Sequence, residues 1–100
     1  MMFNVVVQEL ARLDAREAGQ WYNLQKPGLS KKYTNDMVKT LRQIARNPSA
    51  FAIRYKNIRL ANFETFPYAV HFYILENDAL IVVIAILHTS RNPNFSKTRK

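Results

Sequence analysis

The chain has 100 residues, of which 48% are hydrophobic and 12% aromatic, and its formal net charge is +8. This length predicts one domain over residues 1–100, and the apolar content argues against intrinsic disorder. The absence of cysteine excludes disulfides and thiolate metal sites and fits a reducing compartment. The amino terminus shows no secretory signal, and the longest apolar run, residues 79–87, is too short to span a bilayer. We therefore expect a cytoplasmic protein without membrane contact.

The positive charge is concentrated in two blocks. From Lys26 to Arg59 there are nine Lys or Arg residues and a single acid, Asp36, and the last twelve residues contain four more cations. Residues 60–88 contain no Lys or Arg. A one-sided positive field raises the rate of encounter with phosphates or acidic proteins. The competing interpretation is a solvated surface, and it is the simpler one for five cations on the outer face of the second predicted helix: Lys31, Lys32, Lys39, Arg42 and Arg46.

The chain opens with a strand and a helix. Phe3, Val5 and Val7 alternate with the polar residues Asn4 and Gln8, and this pattern with its β-branched content predicts a short strand. From Glu9 to about Gln25 the apolar residues recur at helical spacing, which predicts the first helix. Its buried sector is predicted to contain Ala11, Ala15, Ala18 and Tyr22, widened by Leu10, Leu13, Trp21 and Leu24.

A second helix follows directly. Pro27 and Gly28 end the first helix, and a new amphipathic pattern begins at Leu29. It runs to Ala45 and is stopped by Pro48. Two consecutive helices with a short connection and one apolar sector each are expected to pack as a hairpin on one face of a sheet.

The second half of the chain has β composition. We expect strands at residues 53–55, from Ile58 to Phe66, over residues 68–75 and over residues 79–87, with turns at 56–57 and 76–78. The last strand is apolar at every position, which is typical of a central strand covered on both faces. The fold class is thus α+β in the order β-α-α-β-β-β, with the helical hairpin on one face of a curved, mainly antiparallel sheet. One core is predicted to contain Trp21, Leu41, Phe72, Val82 and Ile84.

The sequence lacks the common motifs for nucleotide binding and for metal binding. Two glycines cannot form a glycine-rich phosphate loop, and two histidines without a nearby pair do not make a metal site. The sequence therefore predicts neither a metal nor a cofactor. What remains is a set of cations and hydrogen-bonding groups that we expect at the ends of the strands: Arg59, Glu64, His71, Tyr73, His88, Arg91 and the basic tail with Lys97.

These residues allow one kind of catalysis. Cleavage of RNA by its own 2′-hydroxyl needs a proton acceptor, a proton donor and cations on the phosphate. His88 can exchange a proton, while Arg91 and Arg59 can hold a phosphate. We expect His88 and Arg91 at the carboxy-terminal end of the last strand, with an exposed Arg59 on an adjacent strand. The alternative for each residue is structural: His88 bonds the backbone and Arg91 pairs with an acid.

The order and spacing of several segments resemble the RelE/ParE superfamily of toxins from bacterial toxin–antitoxin pairs. The resemblance covers nearly the whole chain, and the superfamily fold agrees with the order of elements predicted above. The segments that carry it are the alanine-rich first helix with Trp21-Tyr22, the helix from Leu29 to Leu41, Ile44 to Pro48, Ile58 to Leu60, Phe66 to Val70, and Ile84 to His88 followed by Arg91-Asn92-Pro93.

The resemblance implies a growth-inhibiting toxin with two alternative targets. ParE-like members poison DNA gyrase, whereas RelE-like members are endoribonucleases that cut messenger RNA on the ribosome. Arg59 and Arg91 match arginines that RelE-like nucleases use on the phosphate, and His88 matches a position found in both branches. The nuclease branch commonly has a tyrosine near the end of the chain where this sequence has Phe95, so the ParE-like activity is slightly favoured.

The resemblance also implies a partner. A cognate antitoxin is expected to wrap the toxin in a hetero-oligomer and to cover its active surface. Sheet edges and the apolar last strand are the expected contact sites, because an unpaired edge accepts an added strand. For target binding we expect Arg59, Tyr73, His88, Arg91 and Lys97. A family member that binds an antitoxin but has lost toxicity is the remaining alternative.

Overall fold

A computed structural model describes residues 2–90 of the chain. Two helices and five strands follow in the order β1 (Asn4–Val7), α1 (Glu9–Gln25), α2 (Leu29–Arg46), β2 (Ile53–Tyr55), β3 (Ile58–Asn62), β4 (Tyr68–Leu75) and β5 (Leu80–His88). Short 3-10 helical turns follow α2 at Pro48–Ala50 and join β4 to β5 at Glu76–Asp78. The α+β class and the helical hairpin are confirmed. The expected order β-α-α-β-β-β counts one strand fewer than the structure, although each of the four β segments expected after the helices forms a strand. β3 ends at Asn62 rather than at Phe66.

The strands form one mixed sheet in the order β1-β5-β4-β3-β2. β5 lies between β1, to which it is parallel, and β4, to which it is antiparallel, so the all-apolar segment is a central strand as predicted. β3 pairs antiparallel with β4 and β2 antiparallel with β3. The two edges are β1 and β2.

Side chains pack on both faces of the sheet, and both helices lie on the same face. The helix face buries residues of α1, α2 and the strands together: Ala11, Ala18, Tyr33, Ile44, Ala61, Phe63, Val70, Phe72, Ile81, Val83 and Ile86. Among the described residues, those buried on the opposite face all belong to strands: Ile58, Val82, Ile84, Ala85 and Leu87. The prediction of one shared core is therefore wrong for Val82 and Ile84.

A β-bulge explains how β5 serves both faces. Val83 pairs with Phe72 and Ala85 pairs with His71, so Ile84 is an extra residue that β5 inserts between these two register pairs. An extra residue reverses the inward and outward alternation beyond it. Before the bulge the odd-numbered residues Ile81 and Val83 face the helices, and after it the even-numbered Ile86 does.

The first helix packs through small residues. Ala11 and Ala18 are fully or nearly fully buried, and their small size lets α1 lie close to β5. The leucines at 10, 13 and 24 and Trp21 lie in a different sector, about 60° to 160° away from these two alanines at 3.6 residues per turn. Trp21 is 55% exposed and Leu24 is 82% exposed. The prediction that Trp21 lies in the core is therefore wrong.

Two aspartates of the helices accept backbone N–H groups of the sheet and of the loop after β3. Asp36 of α2 is only 8% exposed, and its carboxylate accepts the N–H groups of Glu64 (3.2 Å), Thr65 (2.9 Å) and Phe66 (2.8 Å). β1 pairs with β5 only as far as Val83, and beyond that point Asp14 of α1 accepts the N–H of Ile86 (3.1 Å). Neither helix within residues 2–90 has the length and apolarity of a membrane span.

Candidate functional site

His88 closes the central strand at the edge of the described region. Its ring lies against Tyr68 with 5.4 Å between centroids, in an edge-to-face arrangement. The backbone N–H of Ser90 donates to Nδ1 at 3.1 Å, and the Ser90 hydroxyl lies 2.8 Å from the same atom. Because Nδ1 accepts, the neutral ring carries its proton on Nε2. His88 is half-buried, so this donor is held in a fixed position at the surface.

Aromatic rings connect His88 to the helical hairpin. Tyr68 packs on Tyr33 with 5.3 Å between centroids, and Tyr33 stacks on Tyr22 at 5.4 Å. The chain of rings ends at the exposed Trp21, 5.0 Å from Tyr22. Among residues 2–90 the buried Tyr33 hydroxyl has no hydrogen-bond partner. Burial raises the pKa of Tyr33, with Tyr68 and Tyr22 raising it further. This phenol therefore stays neutral and does not supply a base at physiological pH.

Arg59 has a structural task. Its Nη1 donates to the carbonyl of Phe51 at 2.6 Å and weakly to that of Ser49 at 3.4 Å, which ties β3 to the segment after α2. The side chain is half-buried rather than exposed. The expectation that Arg59 lies on a strand adjacent to the last one is wrong, because β4 separates β3 from β5.

The remaining predicted residues lie elsewhere. Tyr73 is half-buried on the sheet face opposite the helices. His71 is 4% exposed in the middle of β4, and its Nδ1 lies 2.9 Å from the Tyr55 hydroxyl, so it is a buried histidine with a polar partner. Glu64 forms a salt bridge with Lys39. Arg91 and Lys97 lie outside the described residues.

The predicted cations and histidines are thus not gathered in one place. His88 is opposite Tyr68 on β4, whereas Arg59 is opposite Phe72, four residues further along the same strand. Four residues of strand and two interstrand spacings correspond to about 13 Å along the sheet and about 10 Å across it. Among the described residues, His88 and Arg59 therefore do not meet on one phosphate. No group of three or more His, Cys, Asp or Glu residues that could hold a metal forms within residues 2–90.

Within residues 2–90 no strand pairs with the outer edge of β1, and this edge is a second candidate site, which the sequence predicts only as a sheet edge in general. Asn4 and Gln8 donate their N–H groups to carbonyls of the β5 side, each at 3.0 Å, so the intervening odd residues, Val5 and Val7, turn their backbone groups to the free edge. A groove of about 430 Å³ lies here, lined by residues of β1, both helices and β5.

This groove combines apolar walls with one cation. Met37 and Leu41 line it from α2, and Arg12 lines it from α1. A second depression of about 480 Å³ at the start of α1 shares Arg12 and Val7 with it. It adds the exposed leucines 10 and 13 and two charged residues, Glu9 and Arg16. The two depressions form one surface, which we call the β1-edge groove. Its sequence signal was the set of leucines in α1 that do not fit the buried alanine sector.

Comparison with known proteins identifies the family. The model of the ParE toxin of type II toxin–antitoxin systems, parDE, matches residues 5–93. The chain belongs to the ParE toxin family. No curated protein sequence matches this family member significantly.

Solved structures of both branches of the superfamily share the fold of this ParE-family chain. A chain of the chromosomal ParDE system of P. aeruginosa superimposes with a TM-score of 0.74 and 18% identity, covering 87% of this chain and 96% of that one. A free-state mutant of the E. coli toxin RelE gives 0.68 and 15%, covering 97% and 94%. A chain of the RelBE2 toxin–antitoxin complex of Mycobacterium tuberculosis gives 0.64 and 13%, covering 88% and 99%. At these identities the likeness establishes the fold alone.

Proposed function

We propose that this ParE-family chain is a toxin that inhibits growth by binding DNA gyrase and that a cognate antitoxin neutralises it. The match of the ParE family model over residues 5–93 carries the proposal. The site geometry supports a binding role over RNA cleavage. Of the three residues expected to act on RNA, the two within the described region, His88 and Arg59, lie far apart, and Arg59 uses its guanidinium on backbone carbonyls.

The target can be tested with purified components. We expect the chain to stop supercoiling of relaxed plasmid by DNA gyrase while leaving messenger RNA on translating ribosomes intact. Adding the antitoxin first should protect gyrase. Ribosome-dependent cleavage with normal supercoiling would instead identify a RelE-like endoribonuclease. Binding to the antitoxin without either effect would identify a family member that has lost toxicity.

We place the antitoxin in the β1-edge groove. An edge strand offers unpaired N–H and C=O groups to an added strand, and here the outward groups belong to Val5 and Val7. Side chains of such a strand would meet the apolar walls formed by Met37 and Leu41, and an acidic residue would meet Arg12. The solved structure of the related RelBE2 pair is a toxin–antitoxin complex, which supports a partner of this kind. The chain's net charge of +8 favours an acidic partner.

A pair of substitutions on α1 tests this placement. Leu13→Asp puts a charge into the β1-edge groove, and we expect it to weaken antitoxin binding by about 30-fold or more, the loss of a central apolar contact. Leu24→Asp, at the far end of the same helix, should change the affinity by less than about twofold, since scattered exposed residues contribute little. Titration calorimetry with the purified antitoxin measures both. Equal effects of the two substitutions would place the antitoxin elsewhere.

A further inference from the structure

The outer face of α2 carries a continuous stripe of positive charge. Five exposed cations fall within a sector of about 100° when α2 is projected at 3.6 residues per turn, opposite its buried face. They extend over about 22 Å of helix. The members of this α2 stripe are Lys31, Lys32, Lys39, Arg42 and Arg46.

The stripe is not neutralised by neighbouring acids. The only acid in α2 is Asp36, which points inward and is occupied by three backbone N–H groups. Among residues 2–90, the only member of the stripe in a salt bridge is Lys39, which pairs with Glu64 of the loop after β3. Four cations of one helix therefore face solvent together, and their mutual repulsion is unfavourable unless an anion is bound.

A depression adjoins the middle of the stripe. It has a volume of about 630 Å³ and lies between α2 and the loop after β3. Leu29 and Phe66 give it apolar walls, while Asn35 and Thr65 bring an amide and a hydroxyl to its surface. Two carboxylates also line it, and both are engaged: Asp36 accepts backbone N–H groups and Glu64 pairs with Lys39. A surface of this kind, with flat apolar contacts and hydrogen-bonding groups beside a row of cations, is suited to an unpaired base whose phosphates lie on the cations.

We infer that the α2 stripe and the adjoining depression bind single-stranded nucleic acid. The inference goes beyond the toxin assignment and does not depend on which target the toxin has. The phosphates of one strand follow the row of cations. Because successive nucleotides in one strand of a duplex are about 3.4 Å apart, a row of about 22 Å is long enough to contact several phosphates. The depression accepts a base that a duplex would keep stacked and paired. The stripe lies on the solvent side of α2, away from His88 and from the β1-edge groove.

Two charge-matched triple variants test the inference. Lys31→Gln, Arg42→Gln and Arg46→Gln remove three cations of the stripe and retain the Lys39–Glu64 pair. Lys26→Gln, Arg54→Gln and Lys56→Gln remove three exposed cations that lie outside both the stripe and the β1-edge groove. Each triple lowers the formal net charge from +8 to +5, by subtraction of three. Circular dichroism should show the same helix content and unfolding midpoint for both.

Binding is measured by fluorescence anisotropy with a labelled single-stranded 20-mer at several salt concentrations. For the wild type we expect affinity to fall as salt rises. The stripe triple should reduce the slope of log K against log[salt] by about 2, since each phosphate contact on a single strand contributes about 0.7. At 1 M salt the counterion effect vanishes, so the wild type and the stripe triple should bind equally there. At 0.1 M salt, one decade lower, the change in slope makes binding by the stripe triple roughly 100-fold weaker. The other triple should retain the wild-type slope within about half a unit.

Three results would overturn the inference. Equal losses in both triples would mean that only net charge matters and that the stripe is a solvated face. We expect an abasic strand to bind about tenfold more weakly than the 20-mer. An unweakened abasic strand, or a duplex of the same sequence that binds more tightly than the single strand, would exclude recognition of an unpaired base. Lost affinity for the antitoxin in the stripe triple, with unchanged binding of the 20-mer, would assign the stripe to an acidic protein instead.

Discussion

Replacing Asp36 with alanine is expected to lower the free energy of unfolding by about 3–5 kcal/mol. The reason is that one buried carboxylate accepts three backbone N–H groups of the loop after β3, and hydrogen bonds to charged groups contribute about 1.5–3 kcal/mol each, with incomplete additivity. Small domains are stable by about 5–15 kcal/mol, so this one change removes a large share. Urea unfolding followed by circular dichroism measures it.

The neighbouring residue provides the control for this prediction. Asn35 lies on the same helix but is exposed, and Asn35→Ala should change the stability by no more than about 0.5 kcal/mol. Hydrogen exchange adds a local measurement, because the amides of residues 64–66 should lose protection in the Asp36 variant before the strands do. A change below about 1 kcal/mol would mean that water replaces the carboxylate in the loop.

Local sequence patterns predicted most of the elements because each element has a clear periodicity or a clear stop. The alternation from Tyr68 to Ile74 puts four residues on the helix face, as expected from period two. Gly28 has a φ of 88°, which glycine adopts without strain, and so the two helices turn at the predicted place. Pro48 starts a 3-10 turn directly after α2, as its fixed φ favours.

The errors arise where two patterns compete or where a long-range contact decides. Both the alanines and the leucines of α1 recur at helical spacing, and which set is buried depends on how closely β5 approaches, which sequence spacing does not contain. The bulge at Ile84 reverses the alternation of β5 without any glycine to signal it. Asp36 was seen only as the lone acid in a basic block, since its three partners lie 28 to 30 residues away in sequence.

The candidate site was predicted less well than the fold for the same reason. The apolar run correctly places His88 at the end of the central strand, but it does not predict that the backbone N–H of Ser90 donates to the Nδ1 of His88. The guanidinium of Arg59 fits a phosphate-binding role, but its half-buried position on the helix face follows from the register with Phe72, which local sequence does not contain. The β1-edge groove depends on the parallel pairing of β1 with β5, a contact between the two ends of the described chain.

The same geometry determines how the active surface is best tested. We propose that the carboxy-terminal end of β5 contacts the target, because a rigid central strand holds His88 at the surface there. Arg59→Ala is a poor probe, since the loss of its bonds to Phe51 and Ser49 should itself cost about 1–2 kcal/mol of stability. Arg91, which lies outside the described residues, remains a sequence-based choice.

Replacing His88 with glutamine together with Arg91 with alanine is expected to abolish growth inhibition while antitoxin binding remains. If the toxin acts by binding gyrase, two lost polar contacts of about 1–3 kcal/mol each weaken inhibition of supercoiling by roughly 30-fold to 10⁴-fold. His88→Gln alone separates the mechanisms, because a nuclease that used its Nε2 proton would lose about 10²–10⁴ in the rate of RNA cleavage at saturation. A gyrase-binding toxin would instead show only a higher concentration for half inhibition. Arg54→Ala, an exposed charge on β2, is the control and should leave toxicity unchanged. Full toxicity of the double variant at wild-type protein levels would move the active surface away from the end of β5.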